Sequence, residues 1–139
     1  MTTVRVYQMA MFGKIFLVGL MLQAIAPSAC AQESPEFQAC IDHSDGVSDA
    51  MLDCGHAEIA KWDIRLNAAY KALMKSGNPA DQEHLRLEQR AWLKHHLSET
   101  HRLAADPDTG SGAFLASQGF ELDDLMARTL VLEKLVQYR

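Results

Sequence analysis

The sequence predicts an all-α fold: a small bundle of about three main helices, in which a helical hairpin is tethered by one disulfide. Two observations support this prediction. Apolar residues recur at steps of three and four in three separate segments, as on one side of an α-helix, and no segment alternates as a strand does. Two cysteines, Cys40 and Cys54, stand before and at the start of the longest apolar stripe.

Residues 1–31 have the features of a bacterial secretory signal peptide. Arg5 and Lys14 are the only charged residues before Glu33, and residues 15–26 (IFLVGLMLQAIA) are almost wholly apolar. A bilayer span needs ~20 apolar residues, so this run is too short to cross a membrane, but it is typical of a cleaved leader. We therefore expect a periplasmic or secreted protein with no transmembrane span.

The small residues Ala29-Cys30-Ala31 form an A-x-A cleavage pattern, which places the mature chain at residues 32–139. Cys30 allows a second interpretation, a lipoprotein that is acylated at this cysteine. A proline stands three positions before it instead of the usual leucine, which favours soluble export. Translation starts at Met1 or at Met11, because the sequence from Met11 is a complete leader start by itself.

The 108 residues of the expected mature chain are enough for one helical domain with a modest core. They carry 11 basic and 18 acidic residues, a formal charge of −7. This charge argues against a nucleic-acid partner and favours attraction to cationic proteins.

Cys40 and Cys54 are the two cysteines left after cleavage, and an exported chain meets an oxidising compartment. A bridge that closes their loop of about fifteen residues should stabilise the fold by ~3 kcal/mol. A metal pair or a redox pair is the alternative, but there is no C-x-x-C, and His43 and His56 are the only ligand-type histidines nearby. We expect a structural disulfide that pins an N-terminal arm onto the first helix.

The first helix is expected to start at Ser48 and to end at Lys75-Ser76-Gly77, where a cation precedes a glycine. Its second half, after Cys54, carries the organising stripe. The stripe consists of Ile59, Trp62, Leu66, Tyr70 and Leu73.

The second helix is expected to run from Asn78-Pro79, an N-cap followed by a proline in the first helical position, to about Leu103. So short a link makes the two helices antiparallel neighbours. The side chains expected to face the first helix are Leu85, Gln89, Trp92, Leu93 and His96.

Residues 104–112 (AADPDTGSG) break the helical pattern with a proline and two glycines, and form an acidic loop. In the third segment, Gly119 is expected to interrupt residues 113–120. A stripe then continues to the C-terminus through Leu122, Leu125, Met126, Thr129, Leu132, Leu135 and Val136.

The sequence gives little evidence for a catalytic site or a metal site. Helical carboxylates such as Glu58, Asp63, Glu88 and Glu99 are better explained as solvated surface or ion pairs than as an acid–base pair. His95, Glu99 and their histidine neighbours lack the H-E-x-x-H pattern of a zinc site. We expect no enzyme, no cofactor and no metal.

The spacing C-x13-C-x3-E-x3-W-D-x2-L-N-x2-Y-x2-L-M, followed by L-x3-Q-R-A-W-L, resembles the LprI-type lysozyme-inhibitor family of exported bacterial proteins. The resemblance implies a small helical domain that inhibits a lysozyme by protein–protein contact. Its most characteristic residues, interpreted as scaffold, are Glu58, Trp62, Asp63, Leu66, Asn67, Tyr70, Gln89, Arg90 and Trp92.

The sequence departs from the family pattern after Trp92. The family's arginine–aspartate pair and a following cysteine correspond to His96, Leu97 and Thr100, and the partner cysteine corresponds to Phe120. The second disulfide that the resemblance implies is therefore absent. Its loss leaves the loop before the last helix less constrained.

Two expectations about particular residues follow. An acid of the first helix, Asp63 or Glu58, is expected to meet Arg90 or to cap a neighbouring helix end. The acidic loop, with Asp106 and Asp108, is the candidate contact with a cationic lysozyme. The alternative is an envelope structural or stress protein with another partner, which an exposed apolar patch on the third helix would favour.

Overall fold

The computed structural model describes residues 33–110 and 112–139, so the predicted leader and Cys30 lie outside the described residues. The described chain forms α1 (Pro35–His43), α2 (Ser48–Ser76), α3 (Pro79–Ala104) and α4 (Gly112–Gln137). The all-helical prediction is confirmed, with four helices in place of about three. None of these four helices is long and apolar enough to cross a membrane.

Helix α1 is the element that the sequence prediction missed, because it has only nine residues and buries none of them. Its start has the usual local chemistry. The Ser34 hydroxyl caps the helix by accepting the Phe37 N–H at 3.1 Å, and Pro35 occupies a first-turn position where a missing N–H costs nothing. The expected N-terminal arm is therefore helical.

The predicted boundaries of α2 and α3 agree with the structure. Helix α2 begins at Ser48, and Gly77 ends it with an N–H bond to the Leu73 carbonyl. Asn78 caps α3 by accepting the Asp81 N–H at 3.0 Å, and Pro79 is its first residue.

Helix α4, rather than α3, is the main partner of the α2 stripe, which corrects the expected hairpin packing. The core joins Trp62, Leu66 and Leu73 of α2 to a row of α4 side chains, whereas Leu85 is the only core residue from α3. Helix α3 has too few apolar residues to cover the stripe. The α4 residues of the core are Leu122, Leu125, Met126 and Leu132.

Helix α4 runs parallel to α2 and antiparallel to α3. Gln118 near its start bonds to the Leu52 carbonyl, and its later Glu133 pairs with Arg65 at 2.8 Å. On the α3 side, Asp124 meets His96, while Arg128 meets the earlier Gln89 at 2.9 Å. The α3–α4 loop thus lies at the same end of the bundle as the start of α2.

Two expectations about α4 are wrong. The helix continues through Gly119 without a break, because the surrounding residues pack on α2 and α3. The end of the predicted stripe is also exposed, since Leu135 and Val136 are 43 % and 37 % exposed.

Gly55 makes room for a side chain of α4 where α2 and α4 touch. A Cβ at this position would collide with the side-chain amide of Gln118. That amide spans the interface, where its Nε2 donates to the Leu52 carbonyl at 2.8 Å. The glycine thus leaves space for this amide between the two helices.

Candidate functional site

The predicted bridge between Cys40 and Cys54 is present and joins α1 to the first turns of α2. The two Cα atoms are 5.7 Å apart, within the range that a disulfide requires. The bridge fixes one end of α1, and a second attachment fixes the other.

The second attachment is the carboxylate of Glu58, which is only 2 % exposed. One of its oxygens accepts the Ser34 N–H at 2.9 Å and the Trp62 indole N–H at 3.0 Å. The other accepts the Ser34 hydroxyl at 2.6 Å and lies 3.2 Å from the Lys61 ammonium. Glu58 therefore holds the N-terminus of α1, which is one of the two roles expected for an acid of this helix.

The charge of Glu58 is stabilised by these partners. Burial alone would raise the pKa of this carboxyl, but the hydrogen bonds from Ser34, Lys61 and Trp62 outweigh burial and lower it. Glu58 is consequently an anion at neutral pH, and its chemistry is structural.

A groove of about 560 Å³ separates α2 from α3. Its walls are apolar in the middle, where Leu66 and Tyr70 face Trp92 and Leu93, and Leu125 of α4 contributes to the lining. The groove exists because α2 and α3 both pack against α4 and make few contacts with each other. Polar side chains also border it: Asp63, Asn67, Arg86, Gln89, Arg90 and Glu121.

Seven of the nine residues interpreted as family scaffold line this groove. The exceptions, Glu58 and Trp62, belong to the α1 attachment. The seven are Asp63, Leu66, Asn67, Tyr70, Gln89, Arg90 and Trp92.

The expected pairing of Asp63 with Arg90 does not occur. No ion pair among residues 33–110 and 112–139 includes either side chain. Asn67, one turn beyond Asp63, donates within α2 to the Asp63 carbonyl at 2.9 Å. Asp63 and Arg90 thus face each other across the groove without an ion pair in the described residues.

Two α4 residues that the sequence did not single out, Asp124 and Ser117, make contacts with α3. Asp124 lies 2.7 Å from Nδ1 of the buried His96. Ser117 donates to the Thr100 carbonyl at 2.8 Å. The contacting residues are 17 to 28 positions apart in the chain. The only sequence signal for these contacts was therefore the helical register of α4 relative to α3.

Among the described residues, no group of three or more His, Cys, Asp or Glu side chains is placed to hold a metal ion. Glu99, one of the candidate ligands, instead pairs with Arg102 of its own helix. Hydrogen bonding from Arg102 lowers the pKa of Glu99.

The two acids of the α3–α4 loop have different environments. Asp106 accepts the Asp108 N–H at 2.9 Å and the Thr109 hydroxyl at 3.1 Å, and these bonds hold its pKa below the usual value. Asp106 therefore shapes the loop. The Asp108 side chain is exposed at its tip.

The loop belongs to a strongly acidic end of the bundle, formed with α1 and the start of α2. Residues 33–60 contain seven carboxylates and no lysine or arginine. Since α2 and α4 are parallel, Asp108 lies at this same end. The exposed acids of the acidic end are Glu33, Glu36, Asp42, Asp45, Asp49, Asp53 and Asp108.

A family model described as "Lysozyme inhibitor LprI" matches residues 40–132, which is more than half of the chain. The matched segment starts at the disulfide and includes both groove walls and most of α4. No curated protein and no solved structure gives a match.

Proposed function

The chain belongs to the LprI lysozyme-inhibitor family, and from this premise we propose that it is an exported, non-catalytic protein that blocks a cationic lysozyme by protein–protein contact. The family match over residues 40–132 is the observation that carries the proposal. Export follows from the predicted leader, with acylation at Cys30 as the alternative fate of the N-terminus.

The acidic end supplies the surface for this contact. Clustered charge of one sign speeds association with an oppositely charged protein and orients it before contact. The carboxylates of the acidic end come from three separate segments, and the disulfide and the Glu58 attachment hold two of them, α1 and the start of α2, together. Asp108 is the residue best placed to enter a cleft, because it is exposed on a loop whose shape Asp106 maintains.

A lysis assay tests the proposal directly. The protein is expressed with its own leader, purified from the exported fraction and added to a cationic lysozyme that clears a peptidoglycan suspension. Slower clearing at micromolar protein is expected, and its weakening on adding salt would show the electrostatic part. Unchanged clearing at micromolar protein would contradict the proposal.

A matched pair of variants separates the acidic end from overall charge. Asp108→Lys and Glu83→Lys change the net charge equally, but Glu83 lies near the start of α3, at the opposite end of the bundle. A like charge at a contact should weaken inhibition by about tenfold for Asp108→Lys. Glu83→Lys should inhibit as well as wild type, and equal losses in both would show that only total charge matters.

A second function is favoured by an exposed apolar stripe near the end of α4. Val131, Leu135 and Tyr138 are 49 %, 43 % and 77 % exposed and follow one another at helical spacing. Such a stripe suits an envelope structural or stress protein that contacts another protein through this helix. Val131→Ser with Leu135→Ser should leave lysozyme inhibition unchanged if the acidic end is the inhibitory surface.

A further inference from the structure

The residues along the two walls of the α2–α3 groove recur at the spacing found where helices pack against a further helix. On α2, the residues Ile59, Asp63, Leu66 and Tyr70 follow one another at steps of four, three and four. Such steps recur in the seams of packed helices. The α3 wall has the same steps, in Arg86, Arg90, Leu93 and Leu97.

The apolar part of this surface is open. Leu93 and Leu97 are 45 % and 47 % exposed, although they border an apolar groove. Each wall stripe spans about 16 Å of helix, or three turns, at the rise of an α-helix. The groove therefore matches the length of a three-turn helical segment.

Charge gives the groove a direction. The contacts of His96 with Asp124 and of Gln89 with Arg128 set the α3–α4 register, and they place Glu121 beside the Leu97 end of α3. Arg86 and Arg90 lie nearer to the other end, towards the α2–α3 turn. The only ion pair that these four groove charges (Asp63, Arg86, Arg90 and Glu121) make within the described residues joins Arg86 to Glu83 of its own helix.

The helix that would fit such a groove is antiparallel to α3. Its N-terminal half should carry cations, to lie near Asp63 and Glu121, and its C-terminal half should carry apolar side chains. Helix α3 itself meets this description, because Arg86 and Arg90 precede Leu93 and Leu97.

We propose that the groove is the interface of a homodimer, in which α3 of a second copy lies antiparallel to α3 across a two-fold axis. Each copy then offers the same surface to the other, as two-fold symmetry requires. Leu93 and Leu97 become covered, and Asp63 meets the partner's Arg90. The acidic ends point in opposite directions and stay exposed.

Mass measurements on the exported protein test the dimer and its geometry, and they need no lysozyme. Light scattering and sedimentation at about 1–100 µM protein should give twice the monomer mass for the wild type. Asp63→Arg and Arg90→Asp should each weaken dimerisation by at least about tenfold, since each puts two like-charge pairs in the interface. The double variant, Asp63→Arg with Arg90→Asp, should restore it.

Two control variants lie on α3 outside the groove. Leu87→Gln alters a leucine that is 55 % exposed, and Lys94→Glu reverses an exposed charge. Both should dimerise as the wild type does. Far-UV circular dichroism checks that every variant is folded, which the exposed positions of Asp63 and Arg90 favour.

Three results would overturn the proposal. A wild-type monomer at about 100 µM would refute the dimer and leave the groove open to another occupant, such as a helix of a different protein or an apolar small molecule. A dimer that tolerates Asp63→Arg and Arg90→Asp would use another surface. Two weakened single variants without rescue by the double variant would refute the Asp63–Arg90 pairing.

Discussion

Replacing Glu58 with glutamine tests whether one buried carboxylate holds α1 on the bundle. The change keeps the shape of the side chain and removes its charge. The oxygen that accepts the Ser34 N–H and the Trp62 indole N–H can be kept by the amide carbonyl. The other oxygen becomes an NH2 group that faces the Lys61 ammonium, 3.2 Å away in the wild type.

The expected cost follows from these contacts. Hydrogen bonds to a charged group contribute about 1.5–3 kcal/mol each, against about 1 kcal/mol for neutral ones. Glu58→Gln loses the bond from the Ser34 hydroxyl to a charged oxygen, loses the ion pair with Lys61 and weakens two further bonds. We expect the free energy of unfolding to fall by about 2–3 kcal/mol.

Urea unfolding, followed by far-UV circular dichroism, measures this loss. Glu36→Gln is the matched control, because Glu36 is on α1, contacts the same lysine at 3.8 Å and is 76 % exposed in its side chain. An exposed ion pair contributes at most about 1 kcal/mol, so Glu36→Gln should be close to wild type. Equal midpoints for Glu58→Gln and Glu36→Gln at pH 7 would refute the reasoning.

The same comparison has a defined pH dependence. Folding lowers the pKa of Glu58 below its ordinary 4.5. The contribution of the carboxylate is therefore complete above pH 4.5 and is lost as the pH falls through the lower folded-state value. The gap between wild type and Glu58→Gln should narrow as the pH is lowered from 5 to 3, and a gap that widens over this range would contradict the assignment.

Two further predictions concern the packing of α2. Replacing Cys40 and Cys54 together with serine should lower the free energy of unfolding by about 3 kcal/mol, the chain-entropy value for a loop of this length, and urea midpoints with and without reductant should show the difference in wild type only. Gly55→Ala should cost about 1–3 kcal/mol through its clash with Gln118. Gly119→Ala, where a Cβ meets nothing within 4 Å, should be neutral or stabilise α4 by up to about 1 kcal/mol. Equal effects of the two alanines would contradict the proposed clash with Gln118.

Local chemistry was enough to predict most helix boundaries. The first N–H groups of a helix have no partner inside the helix; at the start of α3, Asn78 accepts one of them and Pro79 lacks one. Gly77 ends α2. These boundaries can therefore be predicted without knowing the tertiary structure. Helix α1 was not predicted, because nine residues with no buried face give almost no periodic pattern of apolar residues. Ser34-Pro35-Glu36 carried the capping information, but a cap does not show whether a helix follows it.

The sequence did not show which helix packs against α2, because α3 and α4 both carry an apolar stripe of similar spacing. Both α3 and α4 have apolar residues at helical steps, and the short α2–α3 link favours α3 as the neighbour. The structure instead packs α4 into the core, since α4 buries four large apolar side chains where α3 buries Leu85 and His96. Amphipathic periodicity identifies a buried face but not its partner.

Packing explains some of the residues interpreted as family scaffold, but it does not explain Asp63 and Arg90. Trp62 and Leu66 pack in the core, and Glu58 holds α1, so structure alone accounts for these three. Asp63 and Arg90 form no ion pair within the described residues, and an exposed charge without a partner adds little to stability. Both border an open apolar groove from opposite walls. In the dimer that we propose, Asp63 of one copy meets Arg90 of the other, and this pairing gives both charges a physical role.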